Sequence, residues 1–501
     1  MAKKNIIHAV GKRKTGIARV YFKEGTGKII INGRDFDKYF PLESHRVTAT
    51  KPLAFYSVEN KFDIYVNVVG GGLNGQAGAI KLALAKAILL ISPELKETLA
   101  KASMLTRDPR VKERNTARKG QEQDSSSQRD NNRNNQMIKV SIIGASGYSG
   151  IYLIYALSLR PDVAISAITS QTYSGKKLSE VFPQFTKTGH KHNLASELEF
   201  SSFDAAAVAE SSDVIFFCLP HNESSKLIPD ILKKNGKIKI IDVGADFRFD
   251  RLETYEEFYG KHNAPELNQK FVYGLSDIFS DKIKNSQFTA NPGCYPTGAL
   301  LPILPLIFKS AVDAAFPVII DSLSGISGAG RGIKLQNLFC EVENSVKAYN
   351  VWSHRHLPEI QEKAAGAFLN SGGKSDNNLP DILFTPHVIP VSRGILTTIY
   401  IKLNSGISQE NIMEAYKEFY SGSPFVSILN NIEDCNIKNV VYSNNCHIAF
   451  EAGKKQNKGM IKIVSAIDNL GKGASLQAIQ NMNLMFGLEP NCGIPEYSPF
   501  P

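Results

Sequence analysis

The chain has 501 residues, 43% of them hydrophobic and 21% charged, enough for two to four domains with sizeable cores. No apolar run approaches the ~20 residues that span a bilayer, and the opening Met-Ala-Lys-Lys-Asn lacks a secretory apolar core, so a cytoplasmic protein with no membrane partner is predicted. The net charge of +10 is unevenly placed, since residues 1–136 hold 25 Lys+Arg against 13 Asp+Glu and the remainder 33 against 35. All six cysteines (218, 294, 340, 435, 446 and 492) fall in the second part without a CxxC pair, which argues against a disulfide framework or a metal site. Two units of different character are predicted, the first facing a polyanion.

Gly11-Lys12-Arg13-Lys14-Thr15 precedes alternating segments at 18–22 and 28–32, which Gly-Thr-Gly joins in the manner of a hairpin. Residues 62–69 read as a further strand. They run into the glycine-rich stretch 70–80 and an Ala/Leu-rich helix at 81–91. The stretch lacks the lysine and hydroxyl of a nucleotide P-loop, and close approach to an RNA backbone fits the charge better. From 115 to 136 the chain is almost free of apolar residues, a composition that cannot build a core.

These residues resemble the bacterial small-subunit ribosomal protein number nine, on GKRKTGIARV at 11–20, NGRDFDKYF at 32–40, the Gly-rich segment 66–89 and MLTRDPRVKER at 104–114. The resemblance implies a small α/β domain (1–118) on ribosomal RNA, with Lys12, Arg13, Lys14, Arg107, Arg110, Lys112 and Arg114 as RNA contacts. The family's basic tail is not matched here. Residues 119–136 are read instead as a disordered linker, and the pattern restarts at Met137, as it would for a tether or for two adjacent reading frames.

A buried-strand run at 138–143 is followed by Gly144-Ala145-Ser146-Gly147-Tyr148-Ser149-Gly150 and a helix at 151–159. Strand, Gly-rich turn and helix in that order suit a dinucleotide pyrophosphate. The next strand, 163–169, ends at Ser170-Gln171 with Lys176 and Lys177 close behind and no acid for a ribose hydroxyl, which favours NADP over NAD. Strands at 213–219 and 237–243 continue the alternation. The loop at Asp246–Arg248 is read as pinned by an ion pair.

At 290–297 the chain reads Ala-Asn-Pro-Gly-Cys-Tyr-Pro-Thr, so Cys294 stands between a Pro-Gly turn and an apolar run at 298–307. A thiol entering a helix meets the dipole's positive end and free N–H groups, which favour thiolate and can hold an oxyanion. A free cysteine is more often a small buried hydrophobe; the rest of the chain tips the balance towards a nucleophile. His354-Arg355-His356-Leu357-Pro358-Glu359 adds imidazole for proton transfer and a guanidinium for carboxylate or phosphate.

Together GASGYSG, LPH at 219–221, DVGADFRF at 242–249, ANPGCYPT, SGISGAGR at 324–331, HRHLPEI, HVIPVSRGILTTIY at 387–400 and the segment 466–488 resemble the N-acetyl-gamma-glutamyl-phosphate reductase family. The resemblance implies a doubly wound NADP-binding domain (137–293 plus 468–501) and an inserted α+β substrate and dimerisation domain (294–467). It implies Cys294 as nucleophile and either His354 or His356 for proton transfer. Gly144 to Gly150, Ser170, Lys176 and Asn469 would hold the cofactor; Asn291, Arg331, Arg355 and Arg393 would hold an acyl phosphate. Aspartate-semialdehyde dehydrogenase and an aminoadipyl-phosphate reductase are the neighbouring alternatives. A structural ribosomal constituent is the alternative from another class.

Overall fold

A computed structural model of the chain describes residues 7–13, 16–40, 43–55, 62–70, 72–96, 99, 104–105, 137–186, 194–370 and 380–499. The predicted linker lies outside them, as do Lys14, Arg107, Arg110, Lys112 and Arg114. Contacts divide the chain into two units, Met1–Ser127 and Gln128–Pro501.

In the first unit β1 (Ile7–Arg13), β2 (Gly16–Glu24), β3 (Ile29–Ile31), β4 (Arg34–Asp35) and β5 (Phe62–Val69) form one sheet in the order β1-β2-β5-β3-β4. The predicted hairpin between the second and third strands does not form. Instead β5 enters between them, antiparallel to β2 and parallel to β3. Asp63 on β5 holds the intervening turn by accepting the Thr26 and Lys28 N–H groups at 2.8 and 3.0 Å. Most of the glycine-rich stretch is helical, because α1 begins at its fourth residue and runs Leu73–Ile91. A β-carbon on Gly78 would stand 2.9 Å from the Arg13 side chain, and one on Gly11 of β1 only 2.1 Å from the Ala79 carbonyl of α1. Glycine serves here to let helix and sheet approach closely.

The second unit opens with β6 (Ile138–Ile143), α2 (Tyr148–Ser158), β7 (Val163–Thr169) and β8 (Phe200–Ser201), then β9 (Val214–Phe217), β10 (Lys239–Asp242), β11 (Phe271–Tyr273) and β12 (Phe288–Ala290). All seven strands are parallel, in the order β11-β12-β10-β9-β6-β7-β8. Their unbroken apolar runs are explained by burial on both faces: one core holds Leu153 and Leu157 of α2, the other Ile228 and Ile231 of the helix Ser224–Lys234. The chain leaves β6 in one direction and later returns on its other side at β9. A crevice therefore opens where the β6 and β9 loops diverge, the usual ligand site of such sheets.

Next comes α3 (Cys294–Phe308), buried from Tyr295 to Ile307 although it contains Pro302 and Pro305. Each proline removes the N–H that would pair four residues back. The Gly298 carbonyl so stranded accepts Ser465 Oγ at 2.6 Å, and that of Leu301 accepts Tyr420 Oη. This helix packs on a mixed sheet built from β13 (Val318–Gly325), β14 (Lys347–Ala348), β15 (Ile382–Ile389), β16 (Ile395–Lys402), β17 (Val426–Ile428), β18 (Cys446–Ala452) and β19 (Met460–Ile467), ordered β14-β15-β13-β16-β19-β18-β17. Beside it lies α4 (His356–Asn370). After β19 the chain returns to the parallel sheet, where α5 (Leu476–Met485) is buried along its whole length.

Candidate active site

The three glycines of the β6–α2 turn do three different things. Gly144 has φ +78°, and a β-carbon there would stand 2.5 Å from the Cys218 carbonyl at the end of β9. One on Gly150 would strike Ala145 at 2.6 Å, so the third glycine seats the helix against the turn. A β-carbon on Gly147 would meet nothing nearer than 3.8 Å, which leaves the middle of the turn open at the start of α2. A tight turn, an open approach and close helix packing are what a pyrophosphate needs at a helix N-terminus.

Ser146 and Ser170 Oγ atoms lie 3.0 Å apart on the β7 side, and Lys176 is exposed on the loop that follows. Arg331 joins this group. Its Nη1 donates to the Ser146 carbonyl at 3.2 Å, and its guanidinium lies over the Phe182 and Tyr173 rings. A cleft of about 490 Å³ lined by Tyr148, Ser327, Arg331, Arg393 and Tyr442 opens beside the turn.

Cys294 is the first residue of α3, so the predicted turn-to-helix junction is correct. Burial pushes the thiol up to about 11, against the lowering influence of Arg248 and the Tyr295 N–H. Desolvation outweighs the helix terminus here. Just before it, Gly293 donates its N–H to Glu359 Oε1 at 2.9 Å. Glu359 is completely buried, accepts Tyr273 Oη at 2.8 Å, and pairs through Oε2 with Arg248 Nη1 at 3.2 Å. Arg248 also donates to the Asn291 and Val243 carbonyls at 2.8 Å each. The Arg248 loop is pinned, but to Glu359 and not to Asp246, which instead accepts the N–H groups of Asn222 and Ser225.

The two histidines separate clearly. A β-carbon on Gly293 would lie 2.6 Å from His356 Nε2, which places that imidazole against the cysteine's turn. His354 accepts the His356 N–H on its Nδ1 at 3.1 Å and meets the rings of Tyr295, Tyr349 and Phe384 edge to face. Burial, then neighbouring His354 and Arg248, hold His356 well below the ordinary imidazole range, and burial brings His354 down to about 4. A neutral imidazole beside a protonated thiol can take its proton as attack begins. Arg355 is exposed, with its guanidinium over Tyr259.

Three further residues carry internal duties. Arg393 is clasped by Asp468 (Nη2 to Oδ2, 2.8 Å) between the rings of Tyr152 and Tyr442. Asn291 is wholly buried; its amide donates to the Ala474 carbonyl at 3.1 Å and its oxygen accepts from Asn481 at 3.0 Å. Asn469 bridges the Gly394 N–H and Ser327 Oγ at 2.8 and 2.9 Å. Glu359 escaped the sequence reading, although its place three residues after His356 puts both on one face of α4.

On the first unit, Lys12, Arg19 and Lys23 are exposed on the sheet face opposite α1, among His8 stacked on Tyr21 (5.6 Å) and Lys23 over Tyr65 (4.9 Å). Arg13 lies on the other face, against Gly78. Among the described residues no group of His, Cys, Asp or Glu could hold a metal, and no helix is long and apolar enough to cross a membrane.

The parallel sheet with its glycine turn, and a cysteine at a helix start with a half-buried histidine against the turn before it, define an NAD(P)-dependent oxidoreductase of the semialdehyde-dehydrogenase type. Residues 139–286 match the family model "semialdehyde dehydrogenase, NAD binding domain", and 294–469 match "semialdehyde dehydrogenase, dimerisation domain". The chain belongs to the N-acetyl-gamma-glutamyl-phosphate reductase family. It is 40% identical to the reductase of Halothermothrix orenii over 366 residues, covering 73% of this chain and all of the relative. It is 41% identical to that of Pelotomaculum thermopropionicum over 358 residues, 71% of this chain and 97% of the relative. Residues 11–126 match the model "Ribosomal protein S9/S16". Among solved structures, aspartate semialdehyde dehydrogenase II of Vibrio cholerae superposes with a TM-score of 0.52 at 15% identity, over 70% of this chain and 99% of that one. The Candida albicans enzyme with NADP gives 0.51 at 14%, over 71% and 100%. These structures share the fold.

Proposed function

We propose that the second unit reduces N-acetyl-glutamyl 5-phosphate to N-acetyl-glutamate 5-semialdehyde with release of phosphate, a step of arginine synthesis. The observation that carries this reading is the placement of Cys294 at the start of α3, with His356 against the preceding glycine. His356 takes the thiol proton as sulfur attacks the acyl phosphate. Phosphate leaves and a thioester remains on Cys294. The N–H groups at the start of α3 face the oxyanion that forms in each step. Bound NADPH supplies the hydride that reduces the acyl group. His356 then returns its proton as the thiohemiacetal collapses and frees the thiol.

The Gly144–Gly150 turn holds the pyrophosphate. Ser146, Ser170, Lys176 and Arg331 offer hydroxyls and two cations for a 2′-phosphate, and Asn469 shapes the loops that wall the nicotinamide end. Arg355, exposed next to His356 in the chain, offers a cation to substrate. Within the second unit, residues 137–293 plus 468–501 form the cofactor domain, and 294–467 the substrate and dimer domain. The first unit binds ribosomal RNA through the Lys12, Arg19 and Lys23 face, where charge and stacking surface coincide.

The test is phosphate-dependent reduction of NADP by the whole protein with N-acetyl-glutamate semialdehyde, run beside aspartate and aminoadipate semialdehydes. Preference for the glutamate compound supports the reading, and preference for either other substrate overturns it. Salt-dependent binding of a ribosomal RNA fragment, weakened when Lys12 and Arg19 become Glu, tests the first unit.

A further inference from the structure

Between β19 and α5 the backbone makes one wide turn, closed by Gly473 N–H on the Asp468 carbonyl (2.8 Å) and Ser475 N–H on the Leu470 carbonyl (2.9 Å). Bonds that span five residues cost helical regularity and tend to mark functional places. This turn touches both halves of the site. A β-carbon on Gly473 would stand 2.7 Å from Cys294 Cβ, so its backbone lies directly against the cysteine. The Ala474 carbonyl holds Asn291, three residues before that cysteine. Ser475 Oγ donates to the Ser149 carbonyl of the glycine turn at 2.9 Å.

At its centre stands Lys472, whose side chain is fully buried. Its ammonium pairs with the equally buried Asp277 carboxylate and donates to Gln480 Oε1 at 2.9 Å. Asp277 accepts in addition Ser423 Oγ at 2.6 Å and Gln480 Nε2 at 3.2 Å. A buried ion pair adds little net stability compared with apolar packing, but its directional bonds can fix one geometry. The structure assigns Lys472 and Asp277 as positioning residues: their ion pair sets the wide turn, and the turn sets the distance between the Cys294 sulfur and the cofactor turn. The inference rests on the reading of Cys294 as nucleophile.

The test compares three full-length variants with wild type: Lys472→Met with Asp277→Leu, which leaves no lone buried charge; Gly473→Ala; and all three changes together. The charge-free variant is expected to bind NADP with Kd within threefold of wild type while kcat falls at least tenfold, since misplacement by an ångström can cost about a hundredfold. Gly473→Ala should also lose at least tenfold, and the triple variant no more than the larger single loss, because both changes act through one turn. A kcat within twofold of wild type in the charge-free variant, or multiplicative losses in the triple, would overturn the assignment. Lys472→Arg keeps the charge with a wider head and serves if the charge-free variant does not fold. It should lower kcat at least fivefold at unchanged Kd, and an unchanged kcat overturns the role. Cys294→Ser is assayed alongside. Turnover retained there overturns the nucleophile reading itself, which tells that failure from failure of the ion pair.

Discussion

Gly293 and His356 share a single space: a β-carbon on the glycine would stand 2.6 Å from His356 Nε2 and 2.9 Å from Arg248 Nη1. The backbone there, at φ −66° and ψ 156°, is open to any residue, so the glycine is required for room and not for conformation. Gly293→Ala should therefore fold and bind NADP, yet displace the imidazole and lose at least a hundredfold in kcat. Steady-state kinetics beside a binding titration check this, and near-normal kcat would remove His356 from the reaction.

The Cys294 thiol makes a second expectation. With Cys294 pushed up to about 11, its alkylation by iodoacetamide in the free protein should rise about tenfold per pH unit from pH 7 to 9. A rate that levels off below pH 8 would mean the thiolate is already stabilised, as the helix terminus alone suggests.

Cofactor choice is the third. Wild type should prefer NADPH, and Lys176→Ala and Arg331→Ala should each narrow the preference by about tenfold through the loss of a charge-assisted contact. The ratio of kcat/KM for NADPH and NADH measures it. Equal use of both by wild type would refute the assignment of the 2′-phosphate site.

Asp242 supplies a pH signature. It is fully buried between the Ser224 hydroxyl (2.8 Å) and the Gly244 N–H (3.0 Å), and burial, followed by the Asp246 charge, raises it from 3.8 to about 7. A raised acid contributes stability that is present below its unfolded value and lost as pH rises through its folded one. Asp242→Asn should thus gain on wild type by about 1 kcal/mol per unit between pH 5 and 7. Denaturant melts at pH 5, 6 and 7 test the slope, and a constant difference would show that Asp242 is ionised throughout.

What the sequence alone determined is local. The parallel strands follow from unbroken apolar runs, the turn between β6 and α2 from glycines spaced three apart, and the turn-to-helix junction at Cys294 from a Pro-Gly pair ahead of an apolar run. Each needs only residues that are neighbours along the chain. The tertiary structure decided what depends on distant partners. Arg393 is neutralised by Asp468, Asn291 is saturated by Ala474 and Asn481, and Arg331 reaches back to Ser146. Periodicity carries no record of such pairings. Insertion of β5 between β2 and β3 likewise turned a predicted hairpin into a crossover, and Gly78 became a packing residue of α1. Which histidine lies against the Gly293 turn, and how strongly the Cys294 thiol is desolvated, also depended on folding. Desolvation is a property of the assembled core, and at Cys294 it exceeds the pull of the helix terminus visible in the sequence.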